Sequence, residues 1–204
     1  AEKSTYFSGI IKEENKRMNK HVETILQAGL MDRQDIRMSM EKKSVHNLVK
    51  EVLSNYELQL NGRNATVELL LNAKNDMVNA DEVHFSNLVS NLVDNAIKYS
   101  KDNIPLQLKI TTHSTAKYFV MQFEDNGIGM SKETSKRIFE KFYRATTGNV
   151  HNVKGFGLGM SYVKTIIDAH KGRIKVESTL GKGSTFVIEL PLSNPGDVKE
   201  DSSW

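Results

Sequence analysis

Three asparagines and a lysine, Asn87, Asn91, Asn95 and Lys98, recur at spacings of four and three in NLVSNLVDNAIKYS. At roughly 100° per residue they share one helical stripe about 80° wide, while Phe85, Leu88, Val89, Leu92 and Ala96 gather on another face. Asparagine is a middling helix former, so such a stripe costs about 0.5 kcal/mol per residue against alanine. Two readings account for it. One is a solvated polar face. The other is chemical: an amide carbonyl is a neutral hard-oxygen ligand for Mg²⁺, and a nearby lysine can hold a phosphate oxygen.

Two glycine-rich stretches bear on the choice. In FVMQFEDNGIGM an apolar run ends in Asp125, followed by Gly127 and Gly129. An aspartate at a strand end can accept a hydrogen bond from an adenine amino group, and glycines let the backbone approach a flat ring. Asp-Asn-Gly is equally an ordinary turn. In GFGLGMSYVKTIID, Gly155, Gly157 and Gly159 precede a helix whose first amides can bind phosphate. Neither stretch fits the GxxxxGK[ST] loop, and the dinucleotide fingerprint lacks its βαβ setting. Between them, SKETSKRIFEKFYRATTGNVHNVK places Phe139 and Phe142 among Lys141, Arg144 and Lys154. Two aromatic anchors before a Gly/Asn/Thr-rich stretch suit a lid, and Arg144, between anchor and tip, is its phosphate-contacting candidate. Ordinary core for the phenylalanines and a solvated loop for the cations are the plain alternatives.

These residues need elements to carry them. Phe7, Ile11, Met18, Val22, Ile25 and Leu30 mark an amphipathic first helix; with no second helix beside it in the sequence, its stripe either pairs with another chain or a missing segment or packs on its own domain. After a polar break at Asp32 to Arg37, a short strand leads into a helix from about Val45 that Asn61-Gly62 ends. ATVELLLNAKNDMVNAD reads as two short strands around a turn, and the asparagine helix follows from about Glu82. LQLKITTHSTAKYFVMQFED alternates as a hairpin turning at Ser114 to Lys117. MSYVKTIIDAH is a helix, GRIKVESTLGKGSTFVIELPL a last hairpin, and SNPGDVKEDSSW a polar tail. Antiparallel strands mixed with helices give the class α+β.

Composition narrows the function classes. Of 204 residues, 38% are hydrophobic and 26% charged, and a net charge of +3 gives no argument for a nucleic-acid partner. No apolar run approaches a membrane span, and the N-terminus has no signal-peptide core. Cysteine is absent, which excludes disulfides, thiolate metal sites and a cysteine nucleophile.

Taken in order, NLVDNAIKYS, EDNGIGM, RIFEKFYR, GFGLGMSYV and GKGSTFVIELP resemble the N, G1, F and G2 boxes and the closing strand of bacterial sensor histidine kinases. The resemblance covers about Ile36 to Leu192. It implies the two-layer α/β sandwich shared with gyrase B, Hsp90 and MutL, preceded here by one long amphipathic helix. It implies that Asn95 holds Mg²⁺, with Asn91 one turn earlier near metal or phosphates, and that Lys98 and Tyr99 contact the nucleotide. Asp125 would read adenine in a pocket shaped by Gly127 and Gly129. Phe139 and Phe142 would anchor the ATP lid and Arg144 would approach the γ-phosphate. Gly155, Gly157, Leu158 and Gly159 would surround the phosphates, and Thr185 would stand at the adenine edge. Related ATPases carry a glutamate where Asn91 stands; an amide has no proton-accepting carboxylate, so Asn91 cannot activate water as a general base. The expected activity is γ-phosphoryl transfer to a protein histidine, where positioning and charge neutralisation do most of the work.

A kinase of this kind also carries its acceptor histidine in a His-Glu context shortly before a proline. None of His21, His46, His84, His113, His151 and His170 stands in one. His170 is expected to mark a helix end. By the resemblance, residues 1–35 are the second helix of a dimerisation and phosphoacceptor hairpin, 36–192 the catalytic domain and 193–204 a tail. The expectation is therefore a cytoplasmic piece of a membrane-anchored sensor that binds ATP without phosphorylating itself. Its partners would be the acceptor hairpin, a response-regulator receiver domain and a second copy of the full-length protein. The competing readings are an anti-sigma-type Ser/Thr kinase, a related ATPase, or a degenerate nucleotide-binding scaffold.

Overall fold

A computed structural model describes residues 38–144 and 156–193. The expected first helix with His21, the lid residues His151, Lys154 and Gly155, and the polar tail from residue 194 lie outside them. Strand β1 (Glu41–Ser44) runs into helix α1 (Val45–Asn55), whose N-terminus is capped by the Ser44 hydroxyl accepting from the Asn47 amide. The single helix expected here is two. Tyr56 leaves helical geometry, its amide donates to the Leu53 carbonyl, and α2 (Glu57–Asn61) begins after it. The break turns the buried Tyr56 ring toward the next long helix, where its hydroxyl donates to the Ser90 carbonyl at 3.4 Å.

Strands β2 (Thr66–Leu71) and β3 (Met77–Ala80) form where expected but do not pair with each other. β3 pairs antiparallel with β1, and β2 lies parallel to β4 (Gln107–Ser114), with Val67, Leu69 and Leu71 opposite Leu108, Ile110 and Thr112. A parallel pair needs a long crossover. Here β3 and the asparagine helix α3 (Glu82–Lys98) supply it.

β4 and β5 (Tyr118–Asp125) make the expected hairpin, as do β6 (Arg173–Thr179) and β7 (Gly183–Pro191). The resulting five-stranded sheet has the order β2-β4-β5-β7-β6. Alternation along it buries Leu108, Ile110, Met121, Phe123, Phe186 and Ile188 on one face. Over that face lie α1, α3 and α5 (Gly159–Ala169), contributing Leu48, Phe85, Leu88, Leu92, Val163 and Ile166 among others. At about 1.5–3 kcal/mol for each large side chain, this layer contact is the main stabilising term. The class is thus α+β, a sheet packed against helices in two layers, as expected.

A short helix, α4 (Lys132–Arg137), capped by Ser131, follows β5. His170 is the C-cap of α5, the helix end expected of it, and it is buried. Its Nε2 accepts from the Asp81 amide at 3.2 Å and its Nδ1 bonds the Ile166 carbonyl, so the end of α5 is tied to the N-cap of α3.

Candidate functional site

At the C-terminal ends of α3 and β5 a cleft opens between the helix layer and α4. Its lining includes Asn95 and Tyr99 of α3, Asp125 of β5, Gly129 and Met130 beyond it, Arg144 after α4, and Ser184 and Phe186 of β7. Asp125 stands where strand pairing ends, opposite Ser184. Its Oδ1 accepts from the Gly127 amide at 2.8 Å, and the side chain is one of few carboxylates among apolar walls of Ile128, Met130, Ile138, Leu180 and Phe186. Burial pushes the carboxyl above the usual carboxylate range, opposed by the Gly127 and Ser184 amides. An apolar slot with one acceptor at its inner end fits a purine carrying an exocyclic amine.

The slot depends on a close turn. Gly129 adopts φ +64°, and a Cβ there would lie 2.0 Å from the Thr179 carbonyl oxygen, so no other residue fits. Gly127 packs as tightly on the Tyr99 carbonyl, which accepts from the Ile128 amide at 2.9 Å. The Gly127 and Ile128 contacts join the segment after β5 to the end of α3, and the Gly129 contact joins it to the end of β6.

Two cations come together beside Tyr99. The Lys98 ammonium lies 5.0 Å from the Tyr99 ring centroid. Burial lowers its pKa, the Arg144 guanidinium lowers it further, and Asp94 opposes both. Two cations brought together at a half-buried position favour an anion between them.

Two turns before Lys98 on α3, the Asn91 Nδ2 donates to the Asn87 carbonyl at 2.8 Å, which leaves Oδ1 facing the start of α5. A Cβ on Gly159 would meet that oxygen at 2.8 Å. Glycine at the first position of α5 therefore lets the helix N-terminus approach Asn91. No side chain caps this terminus, so its first amides keep their donor capacity for an anion.

The residues marked in the sequence thus separate into groups. Asn95, Tyr99, Asp125, Gly129 and Arg144 line one cleft, and Lys98 and Gly127 border it. Asn91 and Gly159 meet beside it. Leu158 is the N-cap of α5, but its side chain is buried core, so only its backbone faces the site.

Phe142 does not anchor the lid with its ring, which is 67% exposed; φ +62° turns it outward. The tie at this position is made by backbone, the Phe142 amide donating to the Gly157 carbonyl at 3.1 Å. Phe139 is half-buried, while its neighbour Ile138 lines the cleft. Thr185 is on the other face of the sheet, between Glu124 and Glu177, and Ser184 takes the place expected of it. A strand alternates, so adjacent residues cannot share a face; continuing the alternation of Phe186, Ile188 and Leu190 back along β7 picks out Ser184. Asn87 lies by the Tyr162 hydroxyl, whose pKa burial raises and the Asn87 side chain lowers, and that hydroxyl bonds His84.

Donor chemistry bears on a metal. Among the described residues no cluster of three His, Cys, Asp or Glu is placed to hold one. The neutral amide of Asn95 in the cleft suits Mg²⁺, which takes few protein ligands and fills its shell with water and phosphate oxygens.

Residues 80–194 match the family described as histidine kinase-, DNA gyrase B-, and HSP90-like ATPase. The sensor protein RprX of Bacteroides fragilis is 42% identical over 92% of this chain and 36% of its own length. The chain spans about a third of the length of the curated relatives it matches. Among solved structures, the Acinetobacter baumannii histidine kinase AdeS aligns with a TM-score of 0.70 at 26% identity, covering 88% of this chain and 80% of that one. The histidine kinase ThkA, in complex with the response regulator TrrA, shares the fold with a TM-score of 0.68 at 24% identity, over 90% of this chain and 50% of that one.

Proposed function

Because the chain belongs to the family of histidine kinase-, DNA gyrase B- and HSP90-like ATPases, as the catalytic ATP-binding domain of a histidine kinase, we propose that it binds Mg-ATP and donates the γ-phosphate to a protein histidine. The observation that carries this reading is one cleft lined by Asp125, Asn95 and Arg144, with Lys98 close to Arg144. Asp125 accepts from the adenine amine while Gly127 and Gly129 let the base approach the backbone. Lys98 and Arg144 neutralise the phosphates, and the first amides of α5 receive the anionic end beside Asn91. Bound Mg²⁺, held by Asn95, would neutralise charge on the β- and γ-phosphate oxygens. Asn91 orients and does not deprotonate, so water is a poor acceptor and hydrolysis without a protein partner is slow.

The acceptor histidine belongs to a dimerisation hairpin, of which residues 1–35 supply the second helix, and its phosphate passes on to a receiver aspartate. Support for the hairpin is the apolar periodicity read from Phe7 to Leu30 and the likeness to the sensor protein RprX, which covers 92% of this chain. Support for the receiver partner is the fold shared with a kinase solved on its response regulator. The protein would work as a homodimer at the cytoplasmic face of a membrane-anchored sensor; among the described residues, no helix is long and apolar enough to cross a membrane.

The test is incubation with γ-labelled ATP and Mg²⁺, with and without a separately supplied acceptor hairpin. Acid-labile label on the added histidine is expected. Label on serine or threonine, or rapid release of free phosphate, would overturn the reading.

A further inference from the structure

Three hydrogen bonds close a ring around the inner end of the cleft. The Tyr99 carbonyl, at the end of α3, accepts from the Ile128 amide at 2.9 Å; the Ile128 carbonyl accepts from the Gly181 amide at 2.7 Å. The Gly181 carbonyl in turn accepts from the Lys101 ammonium at 2.7 Å, and Lys101 lies just beyond Tyr99. Each of three segments, the end of α3, the turn after β5 and the β6–β7 turn, therefore holds the next. Two links join main chain to main chain and persist through side-chain substitution. The third rests on one lysine.

That link, made at the exposed surface, is a second tie on a turn that forms a wall of the cleft. Leu180, next to Gly181, lines the cleft with Ile128 and Ser184 and is 61% exposed. An apolar side chain so exposed at a cleft wall is buried further only when the cleft is filled. The Lys101 ammonium also draws the Asp125 carboxyl down against the effect of burial, which places its charge near the inner end of the slot.

We propose that Lys101 is a positioning residue for the nucleotide base: by fastening the β6–β7 turn to the end of α3, it holds Leu180 against one face of the purine read by Asp125. The inference rests on the nucleotide reading of this cleft and adds to it a residue outside the stretches that carry the family resemblance. Base and ribose are common to ADP and ATP, so the effect of Lys101 is the same on both, whereas a phosphate contact would act more on ATP.

Calorimetric titration of Mg-ADP and Mg-ATP into the wild type, Lys101→Ala, Lys101→Arg, Leu180→Ala and the Lys101→Ala/Leu180→Ala double variant tests this. Lys101→Ala is expected to weaken both nucleotides alike, by about five- to tenfold, the value of one hydrogen bond. Lys101→Arg restores binding. The double variant loses no more than the weaker-binding single variant, because both act through one turn. General damage to folding would produce neither the rescue nor the missing additivity. Wild-type affinity in Lys101→Ala, additive losses, or a loss confined to ATP would overturn the proposal while leaving the nucleotide reading intact. Failure of the wild type to bind either nucleotide would overturn both.

Discussion

Asp125 combines two opposed demands at one residue. As the proposed acceptor from an amine it bonds most strongly when ionised, yet burial raises its pKa. A carboxyl whose folded pKa is raised costs stability above that pKa and ceases to cost it as the pH falls through it. Asp125→Asn should therefore weaken ATP binding by about 1.5–3 kcal/mol, the range for a hydrogen bond to a charged group. It should leave the neutral-pH melting temperature of the ligand-free protein unchanged or raised. Calorimetry for affinity and a thermal melt for stability check the two halves separately; unchanged affinity would put the base elsewhere. By the same sign, wild-type affinity for ATP should fall as the pH drops toward the Asp125 pKa, and that acid limb should be missing in the variant.

At the scale of elements, the site is where the end of α3, the turn after β5 and the start of α5 converge. Gly159 sets how near α5 comes, since a methyl group there would sit 2.8 Å from the Asn91 oxygen. Alanine is a better helix former than glycine by about 1 kcal/mol, which offsets the strain it introduces. Gly159→Ala is therefore expected to melt within a few degrees of the wild type while transferring phosphate to the supplied hairpin at least ~10-fold more slowly, since displaced catalytic geometry is costly. Transfer at the wild-type rate would show that Asn91 and the α5 terminus act independently. At the other end of α3, Asp81 caps the helix by accepting from the His84 amide at 2.9 Å and also accepts from the Ser39 amide. Asp81→Ala should cost about 1–2 kcal/mol in denaturant unfolding.

For the whole molecule, acid sensitivity follows from buried histidines. Burial lowers the pKa of His170, whose Nε2 accepts from the Asp81 amide, so the folded state keeps it neutral. Burial lowers His46 as well, although Asp76 opposes it. For a depressed histidine, stability is full above the unfolded value of 6.5 and is lost as the pH falls from there toward the folded pKa. The melting temperature should accordingly decline from about pH 7 to pH 5. His170→Phe should be less stable at pH 7.5, by about 1–3 kcal/mol, because the Asp81 amide is left unpaired. Its slope with pH should be shallower, with His46 supplying what remains. An equal slope in wild type and variant would show that His170 does not titrate on unfolding.

Periodicity and local chemistry made most elements legible: the asparagine helix from Glu82, both hairpins, the helix ended at His170 and the α+β class. These depend on residues close in sequence, and so did the ordered glycine and asparagine motifs that carried the family. Long-range decisions were not local. The pairing of β2 with β4 instead of β3 follows from which apolar faces meet across the sheet. The place of Ser184 instead of Thr185 follows from the register of β7 against β5. The outward Phe142 follows from a backbone bond to Gly157, fifteen residues further along the chain. Lys101, an ordinary surface lysine by its neighbours in sequence, gains a role only because Gly181 comes within 2.7 Å of it. The amino-acid order by itself marked which residues are candidates to bind a nucleotide; tertiary packing decided which of them share a cleft, because only the assembled sheet and its helices bring α3, the turn after β5 and β7 together.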